Sequence, residues 1–140
     1  MCEAPCVMLA TVTDGRPHIA ALENLRNEFL HPRQAALLRA NATEVLLSTS
    51  AGTGKVKALR AHPQAAIYYC VAELHQSVEF QGEVEILDDL ALKQALWEDD
   101  WRCYWPSGAG DPDYVLLRMR PHLARGWIGR SAYSLELGNE

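Results

Sequence analysis

The sequence predicts a mainly β fold of the α+β class: a split β-barrel of six to seven short strands with short peripheral helices, in one domain of residues 1–140. Three observations carry this expectation. Apolar or alternating runs of strand length recur along the chain with turn residues between them. An Asp-Gly pair joins the first two runs, as in a tight hairpin. The stretches with helical spacing are few and short, and no internal repeat is present, which suits helices packed around a small barrel.

In chain order, residues 6–12 (CVMLATV) and 18–22 read as strands flanking Thr13-Asp14-Gly15-Arg16-Pro17. Residues 32–41 predict a short amphipathic helix, with Pro32 in its first turn and Ala36, Leu37 and Ala40 on one face; polar residues 23–31 lead into it. A strand over 44–48, a helix over 54–61 and a strand over 65–72 follow. Residues 77–87 (SVEFQGEVEIL) alternate apolar and polar positions around Gly82, predicting a long half-buried strand bent by a bulge. Asp88 is placed as the cap of a helix reaching about Trp97. Residues 101–113 form an aromatic loop punctuated by Pro and Gly, residues 114–119 and 122–128 are strands, and residues 131–140 show no strong pattern.

Composition removes several function classes. The formal net charge is −5 with thirteen Lys and Arg spread along the chain, which argues against nucleic acid as the main partner. The longest apolar run, residues 65–72, is far short of the ~20 residues that span a bilayer. The four cysteines form no disulfide framework and no signal-peptide pattern precedes them, so reduced thiols and a cytoplasmic location are expected. Cys2 and Cys6 lack the second closely spaced pair that a zinc site with His18 or His75 would need, so no metal is expected. Glu79, Glu83 and Glu85 alternate along one strand as a solvated face rather than as paired catalytic acids.

The most informative segment is residues 46–63, LLSTSAGTGKVKALRAHP, where an apolar strand stops in a Ser/Thr/Gly cluster and opens into a helix with an early lysine. With Thr53 as the helix N-cap, free backbone N–H groups gather near residues 53–56. The helix dipole, the hydroxyls of Ser48, Thr49, Ser50 and Thr53, and the ammonium of Lys55 all favour a small anion such as phosphate. Gly52 and Gly54 stand too close together for a P-loop.

Taken in order, ATVTDGRPH, STSAGTGKVKALRAHP, VEFQGEVEIL, LWEDDW, YWPSGAGDPDYVLLRMRP and ARGW are similar to the FMN-binding split barrels of the pyridoxamine 5′-phosphate oxidase-like family, above all its general-stress-protein branch. The resemblance covers about residues 7–129. It implies a homodimer with an FMN in each of two clefts at the dimer interface. Thr49, Thr53 and Lys55 fall on the family's T-x-x-x-S-x-K phosphate spacing, beside Ser48; His18 is placed toward the cleft, and Trp127 matches a tryptophan that packs near the flavin from the partner subunit. Two cationic positions of the family are missing, because Gly54 and Ala20 stand where arginines are usual, leaving Arg16, Lys57 or Arg60 to compensate. True pyridoxamine 5′-phosphate oxidases end in an R-x-H segment; here Arg130 follows Trp127 but no histidine does, so that oxidation is not expected.

Three functional readings stand at this level. The first is an FMN-dependent oxidoreductase acting on a small molecule. The second is a non-catalytic carrier of a flavin, or of haem or deazaflavin. The third is a cofactor-less dimeric member of the family.

Overall fold

The computed structural model describes residues 1–138; residues 139 and 140, the end of the segment read as unpatterned, lie outside the described residues. Eight strands form one antiparallel sheet that curls on itself. Strands β1 (Cys6–Thr13), β2 (Arg16–Glu23), β3 (Val45–Ser50), β4 (Gln64–Val71), β5 (Gln76–Leu87) and β6 (Tyr114–Met119) follow the spatial order β2-β1-β4-β5-β6-β3. Strands β7 (Leu123–Ile128) and β8 (Ser131–Glu136) extend the sheet from β5 as a flap. Helices α1 (Pro32–Arg39), α2 (Gly54–Ala61) and α3 (Leu90–Leu96) lie at the periphery. Among the described residues no helix is long and apolar enough to cross a membrane.

The β1–β2 turn follows from its residues: Asp14 and Gly15 have φ of 51° and 73°, the two positive values that a tight hairpin of right-handed twist requires. Alternation along β1 then sends Val7, Leu9 and Thr11 inward and leaves Met8 and Val12 exposed. Val7 and Leu9 join Leu47, Ile67, Val84, Val115, Leu117 and Met119 in the barrel core. Strands β3 and β6 are buried on both faces, because their opposite faces meet a second layer of Leu38, Leu96, Trp101 and Trp105 around Leu46, Tyr114 and Leu116.

Several expectations are corrected. Strand β5 carries no bulge: its ladder with β4 is continuous from Gln76 to Glu83, and a Cβ on Gly82 would stand 3.1 Å from the Arg120 carbonyl oxygen and 3.2 Å from Pro121 Cα. The glycine serves a close crossing of two chain segments. Asp89, not Asp88, caps α3, accepting from Leu92 N at 3.1 Å, whereas Asp88 holds the buried Lys93 ammonium at 2.6 Å. The polar segment leading into α1 is largely interior: Asn24, Arg26 and Asn27 are buried, and the Arg26 guanidinium donates to the carbonyls of Leu38, Asn41 and Glu44 at 2.9, 2.7 and 2.6 Å. These bonds satisfy carbonyls at and just beyond the end of α1. Residues 131–136, read as unpatterned, are strand β8.

Gly126 of the flap pairs with Val78 of β5 and leaves no room for a side chain. An added Cβ would fall 2.1 Å from the Ser77 carbonyl oxygen and 3.0 Å from the Tyr133 hydroxyl, which itself donates to that oxygen at 2.7 Å. Gly126→Ala must therefore push β7 from β5, and is expected to destabilise the chain by ~1–3 kcal/mol in a denaturant titration. A variant as stable as the parent would show that the flap tolerates a wider spacing.

Candidate functional site

The first hairpin and the first turn of α2 form a cleft of about 680 Å³. Its floor comes from β1 and β2 and its wall from α2, which packs on β1. In the hairpin register Thr11 faces His18 and Leu9 faces Ala20, so His18 and Ala20 belong to the side of the sheet that looks toward α2. The helix contributes Gly54, Lys55, Ala58 and Ala61, with Thr53 before it and His62 after it. Small side chains along this face leave the volume open.

Thr53 occupies the N-cap position with extended backbone, as the sequence predicts, yet its side chain does not cap. Its hydroxyl donates to the Ser50 carbonyl at 2.8 Å. The N–H groups of the first helical turn have no intrahelical acceptor by construction, so the loop retains donors for an external anion. Burial pushes the Lys55 ammonium below its usual pKa, and among the described residues no carboxylate lies in ion-pair range of it. A partly desolvated cation without a partner is stabilised by an incoming anion.

The loop is held by the aromatic segment. Asp113 accepts from Gly52 N at 2.9 Å and its carbonyl from Ala51 N at 2.7 Å, while Trp105 Nε1 donates to Ser50 Oγ at 3.0 Å. Asp111, buried, accepts from the main-chain N–H groups of Ser107 and Asp113 at 3.1 and 3.0 Å and fixes that segment in turn. Sequence reasoning assigned no role to Asp111 or Asp113. Only the Asp-Pro-Asp run before a strand hinted at turn-forming carboxylates.

The six residues singled out from sequence are divided by the structure. Thr53, Lys55 and His18 line the large cleft together. Thr53 and Lys55 also border a hollow of about 200 Å³, where Ser48 and Thr49 meet Trp101, Tyr104 and Trp105. As neighbours on β3, Ser48 and Thr49 project to opposite sides: Thr49 is buried on the barrel side, and Ser48 Oγ lies 3.3 Å from the Tyr114 hydroxyl. Trp127 lies apart, on β7, half exposed beside Ser77 and Tyr133. Of the cations considered as substitutes for the missing arginines, Lys57 lines the cleft, whereas Arg16 and Arg60 do not. His62 and Asp14 also line it; the sequence marked them only as a helix stop and a turn.

Two further sequence expectations bear on the site. Trp101 and Trp105, in the segment read as an aromatic loop, are 3% and 6% exposed within one chain, and the Trp105 and Tyr114 rings lie 4.6 Å apart. Tyr104 and Trp127 remain exposed. The glutamates of β5 do not pair with one another: Glu79 meets Arg125 at 3.0 Å, Glu83 accepts from Gln64 at 3.1 Å, and Glu85 meets Arg118 at 2.7 Å. The hydrogen bond from Gln81, followed by Arg125, lowers the Glu79 pKa, so this carboxylate is held ionised and is no proton donor near neutrality.

The chain belongs to the pyridoxamine 5′-phosphate oxidase family, whose N-terminal model matches residues 2–128. No curated protein matches the sequence. Among solved structures, a protein related to general stress protein 26 from Clostridium acetobutylicum is 25% identical with a TM-score of 0.73, covering 96% of this chain and 87% of that one. A pyridoxamine 5′-phosphate oxidase-related, FMN binding protein from Nostoc punctiforme is 19% identical with a TM-score of 0.67, covering 98% and 89%. A heme binding protein from Mycobacterium smegmatis is 18% identical with a TM-score of 0.63, covering 96% of this chain and 53% of that one. The last two likenesses concern the fold, which all three share with this chain as a split barrel.

Proposed function

We propose that this family member binds FMN in the cleft between the first hairpin and α2, and serves as an FMN-dependent oxidoreductase on a small molecule. The observation that carries the reading is the meeting of Thr53, Lys55, Lys57 and the uncapped first turn of α2 in one cleft of about 680 Å³, within the ~300–1,000 Å³ usual for small-molecule sites. Thr53, Lys55 and the main-chain N–H groups would hold the phosphate, with Lys57 adding a second positive charge. The apolar surfaces of Val12, Ala20, Ala58 and Ala61 would shelter an uncharged ring. The isoalloxazine supplies the electron chemistry, while the chain binds, orients and shields it.

The reading includes a homodimer with the cofactor cleft at its interface. Its support is an apolar outer face on β2, β1 and β4: Ala21, Met8 and Tyr68 stand in one registered row, and Ile19, Ala10 and Ala66 in the next. Ile19 is 74% exposed and Tyr68 40%. Contiguous apolar area of this kind is characteristic of association surfaces. Trp127 would then reach the flavin of the other subunit rather than its own. After Trp127, Arg130 is followed two positions on by Ala132 rather than histidine, which supports a reaction other than vitamin oxidation, and four free cysteines suit the cytoplasm.

A second reading, a cofactor-less dimeric member of the family, is favoured by Gly54 and Ala20, which leave the cleft short of cations; a non-catalytic carrier of the flavin or of haem or deazaflavin is the other alternative. Freshly purified protein should show bound-flavin absorption bands that bleach anaerobically with NADH or NADPH. Flavin bands that persist under reductant would favour the carrier, and a haem band would remove FMN from the account.

Gly54 supplies a test by gain. A Cβ there meets nothing within 4 Å and the backbone has no positive φ, so Gly54→Arg introduces a guanidinium without strain. It is expected to tighten FMN by ~1.5–3 kcal/mol in a fluorescence titration. Unchanged affinity would mean that the phosphate is not held at this helix end.

A further inference from the structure

A second cavity, of about 810 Å³, lies beneath the β7–β8 flap and shares no lining residue with the FMN cleft. We propose that it binds a small monocarboxylate with an apolar tail, the tail under the flap and the carboxylate on Arg120. Two registered rows build the roof. Val78, Gly126 and Tyr133 stand side by side across β5, β7 and β8, and Phe80, Ala124 and Leu135 form the next row. All but Gly126 line the cavity, and Val45 and Pro121 close it from the barrel side. The Tyr133 hydroxyl is already committed to the Ser77 carbonyl at 2.7 Å, so the roof offers a ligand no free hydroxyl there and only apolar surface.

The polar end is built differently. Arg120 Nε donates to Glu44 Oε1 at 2.8 Å, and Asn41 Nδ2 donates to Glu44 Oε2 at 3.0 Å. Glu44, 12% exposed in its side chain, thus has a donor on each oxygen, and it orients the guanidinium. The two terminal nitrogens of Arg120 have no partner among the described residues, and the side chain is 59% exposed at the rim. A guanidinium fixed through Nε presents its remaining N–H groups as a planar fork, which matches a carboxylate in two-point contact. Glu44 and Arg120 are the only charged side chains lining the cavity among the described residues. An amine would find the Glu44 oxygens occupied, and a polyanion would meet Glu44 as a repelling neighbour. One carboxylate with an apolar body satisfies both ends. Gly82 permits this close approach of the Arg120 main chain, since a Cβ there would stand 3.1 Å from the Arg120 carbonyl oxygen.

The test is calorimetric titration of the full chain with decanoate and with decanol, on the parent, Arg120→Gln and Leu135→Trp. Leu135 is 57% exposed on the outermost strand, so the tryptophan can enter the cavity with little risk to the fold, which thermal melting checks. Saturable decanoate binding is expected, weakened roughly tenfold or more by Arg120→Gln while decanol changes little, and abolished by Leu135→Trp. Saturating FMN should not displace decanoate. Absence of saturable decanoate binding, an equal effect of Arg120→Gln on acid and alcohol, indifference to Leu135→Trp, or displacement by FMN would each overturn the assignment.

Discussion

Replacing Trp105 by alanine is expected to destabilise the chain by ~3–5 kcal/mol, the usual range for removing a buried tryptophan. The indole is 6% exposed and packs on Tyr114 at 4.6 Å, on Trp101 at 5.9 Å and on Trp97 at 6.3 Å. Its loss opens the layer between β6 and the turns at Asp99–Cys103 and Gly108–Gly110, and leaves Ser50 Oγ without its donor. Because Ser50 begins the anion loop, the damage also reaches the site. Tyr104→Ala is the control: that ring is 65% exposed, and its removal is expected to cost under ~0.5 kcal/mol. Denaturant titration at fixed protein concentration reads both, since dimerisation would make stability depend on concentration. A cost below ~1 kcal/mol for Trp105→Ala would show that the aromatic layer is not a packed core.

Lys55→Ala is expected to weaken FMN by ~1.5–3 kcal/mol and to leave riboflavin almost unchanged, because riboflavin lacks the phosphate. The ammonium sits at the junction of two hollows, partly desolvated and, among the described residues, without a carboxylate partner, a place that an anion would fill. The sign of the pH dependence follows. Lys55 has its pKa lowered from 10.5 by burial, and only the protonated form attracts the phosphate. FMN affinity should therefore fall as pH rises through that lowered pKa, before ordinary lysine deprotonation, and Lys55→Ala should remove this alkaline limb. Equal losses for FMN and riboflavin would place the lysine's role in folding instead.

The parts of the fold that were legible in the sequence are those where local chemistry leaves little choice. Asp14-Gly15 accepts positive φ at both central positions, and the hairpin follows. The limits of α2 were readable because Thr53 precedes it and His62-Pro63 ends it. What was missed depended on distant partners. Asn24, Arg26 and Asn27 read only as part of a polar approach to a helix; they are interior because their side chains satisfy main-chain carbonyls at Ala4, Leu38, Asn41 and Glu44. Strand β8 lies at the sheet edge and turns only Tyr133 and Leu135 toward the cavity, so its alternation is too thin to see. At the site, spacing placed Thr53 and Lys55 together, but not the direction of the Thr53 hydroxyl, which a rotamer sets, nor the bracing of the loop by Asp113 from a segment far along the chain.

The central claim, a flavin phosphate held at the start of α2, is tested most directly by titrating FMN and riboflavin separately into the parent protein while following flavin fluorescence. Saturable FMN binding at micromolar affinity or better, one per chain, with riboflavin weaker by at least ~1.5 kcal/mol, is the expected result. No saturable change with FMN at ~100 μM protein, a free energy weaker than about −5.5 kcal/mol, would contradict it.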